Sequence, residues 1–164
     1  MIVISDTTPL ITLLKINRLD LLEKLYGEVK IPRSVYNELT TNPFFTEEAD
    51  KIKKCPFLKV EEVKNSKNVE LLQKATGLDL GESEALVLCK ELNSDLLLMD
   101  GAHGRFVAKQ LGLTITGAIG ILVYSYKTGI LSEQNIRDYV EILKSSGRFL
   151  SKELLQGLLD MVKN

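Results

Sequence analysis

The chain has 164 residues, of which 45% are hydrophobic and 26% are charged, a composition typical of one globular domain that buries its own core. The formal net charge of −1 excludes a global basic field, so attraction of a nucleic acid would need a local basic patch. Cys55 and Cys89 form no CxxC pair and have no histidine cluster near them in sequence, which argues against a thiolate zinc site.

The N-terminal segment Met-Ile-Val-Ile-Ser-Asp has neither a basic n-region nor a long apolar run. It is therefore expected to be neither a signal peptide nor a membrane span. The longest apolar stretch toward the C-terminus, residues 117–126, is too short to cross a bilayer. We therefore expect a reducing, cytoplasmic location and no contact with a membrane.

Short apolar runs predict the strands of one sheet. In chain order they lie at residues 2–5, 29–31, 96–99 and 114–116, with a weaker candidate at 58–63. Helix-period segments lie between and after them, at residues 9–16, 19–26, 32–39, 46–54, 81–92, 103–111, 119–127, 132–145 and 151–163. End signals support several helices: Pro9 and Pro32 suit a first turn, Gly27 suits a C-cap, and Ser132 and Ser151 suit N-caps.

Apolar strands that alternate with helices are typical of a parallel sheet covered on both faces. We therefore predict a three-layer α/β/α fold with a central, mostly parallel sheet of four or five strands. Residues 39–46 and 64–67 are the expected loop boundaries, and neither is long enough to separate domains. We expect a single domain over residues 1–164, in which residues 132–164 form a helical C-terminal extension packed on the rest.

Two predicted strands are followed directly by an aspartate, Asp6 after the first and Asp100 after residues 96–99. Ligands of such sheets bind beyond the carboxyl ends of the strands, so both carboxylates are expected at the edge where chemistry occurs. Each also has a purely structural interpretation. Asp6 could cap a helix, and Asp100 with Gly101 is a common turn pair.

Glutamates in two predicted helices lie near the same edge. Glu38 belongs to the helix after the second strand, and an isolated helical glutamate is usually solvated surface. Glu82 and Glu84 fall in the first turn of another helix, where they would interact favourably with the helix dipole, as would Asp79 just upstream. Taken singly, none of these acids indicates a site.

The arrangement as a whole resembles the PIN-domain family, named after the PilT N-terminus, and in particular one PIN-like branch of it. The resemblance rests on segments spread over nearly the whole chain: residues 4–11 (Ile-Ser-Asp-Thr-Thr-Pro-Leu-Ile), 31–32, 35–39, 78–85 (Leu-Asp-Leu-Gly-Glu-Ser-Glu-Ala), 98–100, 116–117 and 120–122. The most specific pieces are the Asp-Thr-Thr start and the Gly-Glu-x-x-Ala block.

The resemblance implies a nuclease, usually acting on RNA and often the toxin of a toxin–antitoxin pair. It implies that four acids bind Mg²⁺ or Mn²⁺ and act in catalysis, and these are Asp6, Glu38, Glu82 and Asp100. It also implies substrate contacts from Thr7 or Thr8 and from Arg105. Many relatives carry a second aspartate directly after the last acid, where this chain has Gly101.

Divalent-metal chemistry accounts for such a set of residues. Clustered carboxylates repel one another, and a cation relieves that repulsion. Mg²⁺ prefers hard oxygen ligands and keeps several waters, so a few carboxylates on a rigid sheet edge suit it. A bound ion can activate a water and neutralise charge that develops at a phosphodiester.

The expected substrate surface is less specific. A run of lysines could attract a phosphate backbone, although such a run is most often a solvated face: Lys51, Lys53, Lys54, Lys59, Lys64 and Lys67. His103 is the only histidine, and a surface position at a helix start accounts for it better than a catalytic base.

Other classes of function remain open. The first is a catalytically weak or inactive PIN-like module that binds nucleic acid or protein, which Gly101 favours. Aspartyl phosphotransfer ranks lowest, because Thr8 stands where haloacid-dehalogenase-like enzymes need a second aspartate. The apolar faces of the C-terminal helices are expected either to pack in the core or to bind a second copy or an antitoxin protein, and their residues are Ile136, Val140, Leu143, Leu154, Leu155, Leu158 and Leu159.

Overall fold

The computed structural model describes residues 1–146 and 150–163. Residues 147–149 and 164 belong to the expected C-terminal extension and lie outside the described residues. The strands are β1 (Val3–Ser5), β2 (Val29–Pro32), β3 (Leu58–Glu61), β4 (Leu96–Leu98) and β5 (Ile115–Thr116). They form one sheet in the order β3-β2-β1-β4-β5, and every neighbouring pair is parallel.

The helices alternate with the strands and then continue to the C-terminus. They are α1 (Thr7–Lys15), α2 (Asp20–Tyr26), α3 (Arg33–Thr41), α4 (Thr46–Lys53), α5 (Ser66–Thr76), α6 (Leu80–Leu92), α7 (Ala102–Gln110), α8 (Ala118–Lys127), α9 (Glu133–Ser146) and α10 (Lys152–Val162). A 3-10 turn, Pro43–Phe45, joins α3 to α4. The predicted α/β class with a largely parallel five-stranded sheet is confirmed.

Alternation along the strands divides the core into two layers. Val3 and Leu98 face a cluster that includes residues of α1, α2, α8, α9 and α10, whereas Ile4, Leu97 and Met99 face a cluster with α6 and α7. All five of these side chains are at most 1% exposed. Because successive side chains of a strand point to opposite faces, both faces of the sheet need a helical cover.

One helix was not predicted. Residues 64–67 were expected to be a loop, but α5 begins at Ser66, where Asn65 accepts a hydrogen bond from the Asn68 amide at 3.3 Å. It ends at Gly77, which adopts a left-handed conformation with φ of 76°. Its apolar periodicity is weak, because Leu71 is 65% exposed and Val69 is its one buried residue, so capping was the stronger signal.

The expected loop at residues 39–46 is also shorter in the structure. Helix α3 continues to Thr41, and the 3-10 turn opens with Asn42 accepting a hydrogen bond from the Phe44 amide at 3.0 Å. Pro43 accounts for the turn, because proline suits the first position of a new helical turn. The consequence is a tight α3–α4 hairpin that leaves Phe44 85% exposed at its tip.

The C-terminal helices pack on the rest of the chain. Helix α9 contacts α1 and α8, and α10 contacts α8 and α9. The apolar residues that were expected to bind either the core or a partner are mostly in the core, since Ile136, Val140, Leu155 and Leu158 are at most 2% exposed. Leu154 is the exception, because half of it is exposed. Within the described residues, no helix is both long and apolar enough to cross a membrane.

Leu158→Ala tests whether α10 belongs to the same folding unit as the sheet. Loss of a fully buried leucine should lower the free energy of unfolding by about 2–5 kcal/mol. Leu154→Ala is the matched control on the same helix and should cost under about 1 kcal/mol, because its side chain is already half in water. Urea denaturation measures both variants. If the main unfolding transition of Leu158→Ala had the same midpoint as that of wild type, the C-terminal extension would be folding separately.

Candidate functional site

Asp6 follows β1 directly and flanks the start of α1 at the carboxyl edge of the sheet. Its side chain is 5% exposed. Burial raises the pKa of Asp6 from 3.8 to about 7, against a hydrogen bond from the Thr7 backbone that lowers it, while the charges of Glu82, Asp79 and Glu38 raise it further. Asp6 is therefore a desolvated carboxyl surrounded by other acids.

Glu38 lies on α3, close enough to Asp6 for its charge to act on that carboxyl. The hydroxyl of Thr7 donates a hydrogen bond to Glu38 Oε2 at 2.7 Å, and Thr7 is buried while Glu38 is exposed. The first residue of α1 thus holds the Glu38 carboxylate beside Asp6. Thr8 is half-buried, and its backbone carbonyl accepts a hydrogen bond from Thr12 at 3.2 Å.

Glu82 forms a capping box at the start of α6. Asp79 Oδ1 accepts from the Glu82 amide at 2.8 Å, and Glu82 Oε1 accepts from the Asp79 amide at 3.3 Å. The other oxygen, Oε2, lies 3.3 Å and 3.0 Å from where a Cβ would stand on Gly101 and Gly104. Burial raises the pKa of Glu82, and the charge of Asp79 raises it further. Glu82 therefore has a structural role, with one oxygen left facing the segment after β4.

Asp100 follows β4 and is held by the start of α8. Its Oδ1 accepts a hydrogen bond from the Ala118 amide at 2.8 Å, while its Oδ2 is buried and, within the described chain, has no hydrogen-bond partner. Burial raises the pKa of Asp100, although the Ala118 hydrogen bond and the charge of Arg105 lower it. Arg105 Nη1 donates to the Met99 carbonyl at 2.9 Å, which keeps the guanidinium near this acid.

The strand register explains why Asp6 and Asp100 lie at one edge of the sheet. Ser5 pairs with Leu98, and the Asp6 amide donates to the Leu98 carbonyl at 2.9 Å, so the chain continues past both strands at the same level. The structure brings Glu38 and Glu82 within electrostatic reach of Asp6. Asp100 stands at the neighbouring strand end, turned toward α8.

The four acids do not form a closed ligand cage. In the part of the chain that the structure describes, no three His, Cys, Asp or Glu side chains are grouped so that they could hold a metal ion. The donor chemistry nevertheless fits a hard divalent cation, because all four groups are carboxylates and Asp100 Oδ2 is an unsatisfied buried oxygen. The assignment of these acids as ligands stays a prediction.

Two glycines shape the site in a way that sequence reasoning missed. A Cβ on Gly117 would overlap Asp100 Oδ1, and a Cβ on Gly104 would lie 2.6 Å from the Met99 sulfur and 3.0 Å from Glu82 Oε2. A side chain at Gly117 would displace the Asp100 carboxylate, and one at Gly104 would displace Met99 and Glu82. Gly117 was noted only as part of the family pattern, and a glycine between a strand end and a helix start was the available signal.

His103 and the lysine run are not part of the acid group, although the charge of His103 lowers the pKa of Glu82. His103 is an exposed residue in the first turn of α7, and its Nε2 lies 2.6 Å from the Thr76 carbonyl, which agrees with a surface role. The lysine run is solvent-exposed on α4, β3 and the segment leading into α5, at Lys51, Lys53, Lys54, Lys59, Lys64 and Lys67. Lys51 donates to Asn17 at 3.1 Å, which ties it to α1's C-terminal end.

Comparison with known proteins bears on the fold and on the family. The family model described as PIN domain matches residues 2–164. No curated protein matches the chain in sequence. Among solved structures, it is similar to a PilT N-terminus domain protein of the hyperthermophilic archaeon Sulfolobus solfataricus P2, with a TM-score of 0.57 and 19% identity over 77% of this chain and 94% of that one. This structural likeness shows the fold alone.

The acidic residues of the site are of the type that the family match leads one to expect. PIN domains are generally nucleases and generally use divalent metal ions, and the acids described above occupy the carboxyl edge of the sheet. The family model covers almost the full length of the chain, which is enough to assign membership. This protein belongs to the PIN-domain family.

Proposed function

We propose that this protein is a Mg²⁺- or Mn²⁺-dependent endoribonuclease that hydrolyses phosphodiester bonds. The observation that carries the proposal is Asp6, a carboxyl with 5% exposure whose pKa is raised to about 7 by burial and by surrounding acids. A chain gains nothing in stability from burying mutually repelling carboxylates, so a bound cation is the best reason for the arrangement.

Asp6, Glu38, Glu82 and Asp100 would hold the ion. Asp6 and Asp100 would supply the most rigid oxygens, because Asp6 directly follows β1 and Asp100 lies two residues after β4. When bound, the ion supplies an activated water and positive charge for the phosphate. Thr7 orients Glu38 through its hydroxyl at 2.7 Å. Either glutamate could accept the proton of an attacking water, since each has an oxygen that is not used in those contacts.

The substrate side of the proposal rests on Arg105 and a neighbouring cavity. Asp100 and Arg105 line a cavity of about 350 Å³ together with Thr116, Gly117 and Gly120. A guanidinium with free donors beside a carboxylate site can hold a phosphate of the same strand that is cleaved. Thr7 and Thr8 complete the proposed contacts near the acids. The exposed lysine run would add general attraction for RNA.

The biological setting is proposed from the family resemblance. A toxin of a toxin–antitoxin pair would act on cytoplasmic RNA, bind an antitoxin protein and form a homodimer. A second candidate function is a non-cleaving module that binds nucleic acid or protein. It is favoured by the absence of a preformed three-ligand group among the described residues and by Gly101 in place of a further acid.

RNA cleavage separates these two functions. Purified protein should cut single-stranded RNA with Mn²⁺ or Mg²⁺ and stop when a chelator is added. Asp6→Asn and Asp100→Asn should each lower the rate by at least about 100-fold, because each removes a charged ligand. Glu47→Gln, at an exposed acid of α4, is the control and should keep full activity. RNA binding without any cleavage would favour the non-cleaving module.

The stability of the metal-free protein should depend on Asp6 and on pH. A carboxyl whose pKa rises from 3.8 to about 7 on folding binds its proton more tightly in the folded state, so stability is lost as pH rises through that window. At pH 8 without metal, Asp6→Asn should therefore be more stable than wild type by a few kcal/mol, and at pH 4 the two should be nearly equal.

Thermal unfolding with and without Mn²⁺ measures this effect. Adding Mn²⁺ at pH 8 should raise the Tm of wild type, because a ligand of the native state stabilises it, and should do little for Asp6→Asn. Equal metal-induced shifts in the two proteins would remove Asp6 from the ligand set.

Oligomeric state tests the proposed homodimer. A solution mass near twice 18.3 kDa is expected from light scattering at micromolar concentration. A mass near one chain at that concentration would contradict it.

A further inference from the structure

Glu84 carries a contact that the proposed chemistry does not use. It lies in α6 two residues after Glu82, and its Oε1 accepts a hydrogen bond from the backbone amide of Ser34 at 3.0 Å. Ser34 is the second residue of α3, so its amide is one of the donors at a helix start that have no acceptor within the helix. A carboxylate is a favourable acceptor there because the start of a helix carries partial positive charge.

We propose that Glu84 is a positioning residue that sets the place of α3 and thereby of Glu38. This inference rests on the proposed function, in which Glu38 is one of the metal-binding acids. In this role Glu84 would act without contacting the ion or the substrate, through the hydrogen bond that its Oε1 accepts from the Ser34 amide.

One turn of α3 separates Ser34, which Glu84 contacts, from Glu38. Glu38 is four residues after Ser34, so both lie on the same face of α3, one turn apart. At the far end of that turn, Glu38 Oε2 receives the Thr7 hydroxyl at 2.7 Å. The helix is therefore tied at Ser34 to α6 and at Glu38 to the start of α1, which are the two helices that carry Glu82 and follow Asp6.

Helices α3 and α6 also pack through an apolar contact, which has no direction of its own. Val35 is fully buried, and its Cγ2 lies 3.5 Å from where a Cβ would stand on Gly81. An apolar side chain against a glycine surface is non-directional, so it constrains the position of α3 less sharply than a hydrogen bond does. The hydrogen bond from the Ser34 amide is directional and defines one position.

Glu91 offers a matched control on the same helix. Its two carboxylate oxygens accept from the backbone amides of Lys64 and Asn65 at 2.9 Å and 3.0 Å, at the entrance to α5. This is the same type of contact, a glutamate of α6 holding the amides at another helix's start. Helix α5 carries none of the four proposed acids, so loss of Glu91 should loosen the fold without moving the site.

The test is Mn²⁺ affinity, measured from the electron paramagnetic resonance signal of free Mn²⁺ on the full chain. Glu84→Ala should weaken binding by about tenfold, in the range found when groups that orient metal ligands are removed. Glu91→Ala should keep the wild-type Kd. It should lower the Tm about as much as Glu84→Ala does. Glu84→Gln should restore the Kd to within about twofold, because its amide oxygen still accepts from Ser34.

A double-mutant cycle shows whether the effect passes through Glu38. In a Glu38→Gln background, adding Glu84→Ala should weaken Mn²⁺ binding little further, since the group being positioned is already gone. Full additivity would overturn the inference, as would equal Kd changes for Glu84→Ala and Glu91→Ala, or a Glu84→Gln variant as weak as Glu84→Ala.

Failure of the proposed function is distinguishable from these outcomes. If Glu38→Gln and Asp6→Asn both bind Mn²⁺ like wild type, the proposed ligand set is wrong, and the positioning role falls with it. If both variants weaken binding while Glu84→Ala behaves like Glu91→Ala, only the positioning role is wrong.

Discussion

The backbone amide of Asp6 donates a hydrogen bond to the carbonyl of Leu98, the last residue of β4, and so extends the parallel pairing of the two strands one residue past the end of β1. This pairing lies at the point where the strand order changes direction, with β2 and β3 on one side and β5 on the other. The connections that leave neighbouring parallel strands at this point run in opposite directions, which leaves a crevice beyond the carboxyl ends of the strands. The positions of Asp6 and Asp100 both follow from this register.

Around that edge, ordinary helix-capping contacts also place the acids. Glu82 is fixed by its capping box with Asp79, Asp100 is fixed by the Ala118 amide, and Glu84 holds the start of α3. Capping stabilises each helix start and at the same time directs negative charge toward one region. A role in helix capping and a role in metal binding are therefore compatible for these residues. For Glu82 the capping role is observed directly.

The fold was predictable because its signals are local or periodic. The short apolar runs ending at Ser5 and Leu98 are buried on both faces, so their hydrophobicity alone indicated a covered parallel sheet. The prediction failed at α5, where the exposed Leu71 interrupts the apolar period and only the caps at Asn65 and Gly77 mark the helix.

The sequence by itself determined the fold class, the family and the presence of acids after two strands, because strand ends and motif spacing are read along the chain. Only the tertiary structure decided which oxygens are free and which are used. It turned Asp100 Oδ1 toward the Ala118 amide and joined Glu84 to Ser34 across 50 positions. Such contacts depend on side-chain direction and helix packing, which residues far apart in sequence settle together and no local pattern encodes.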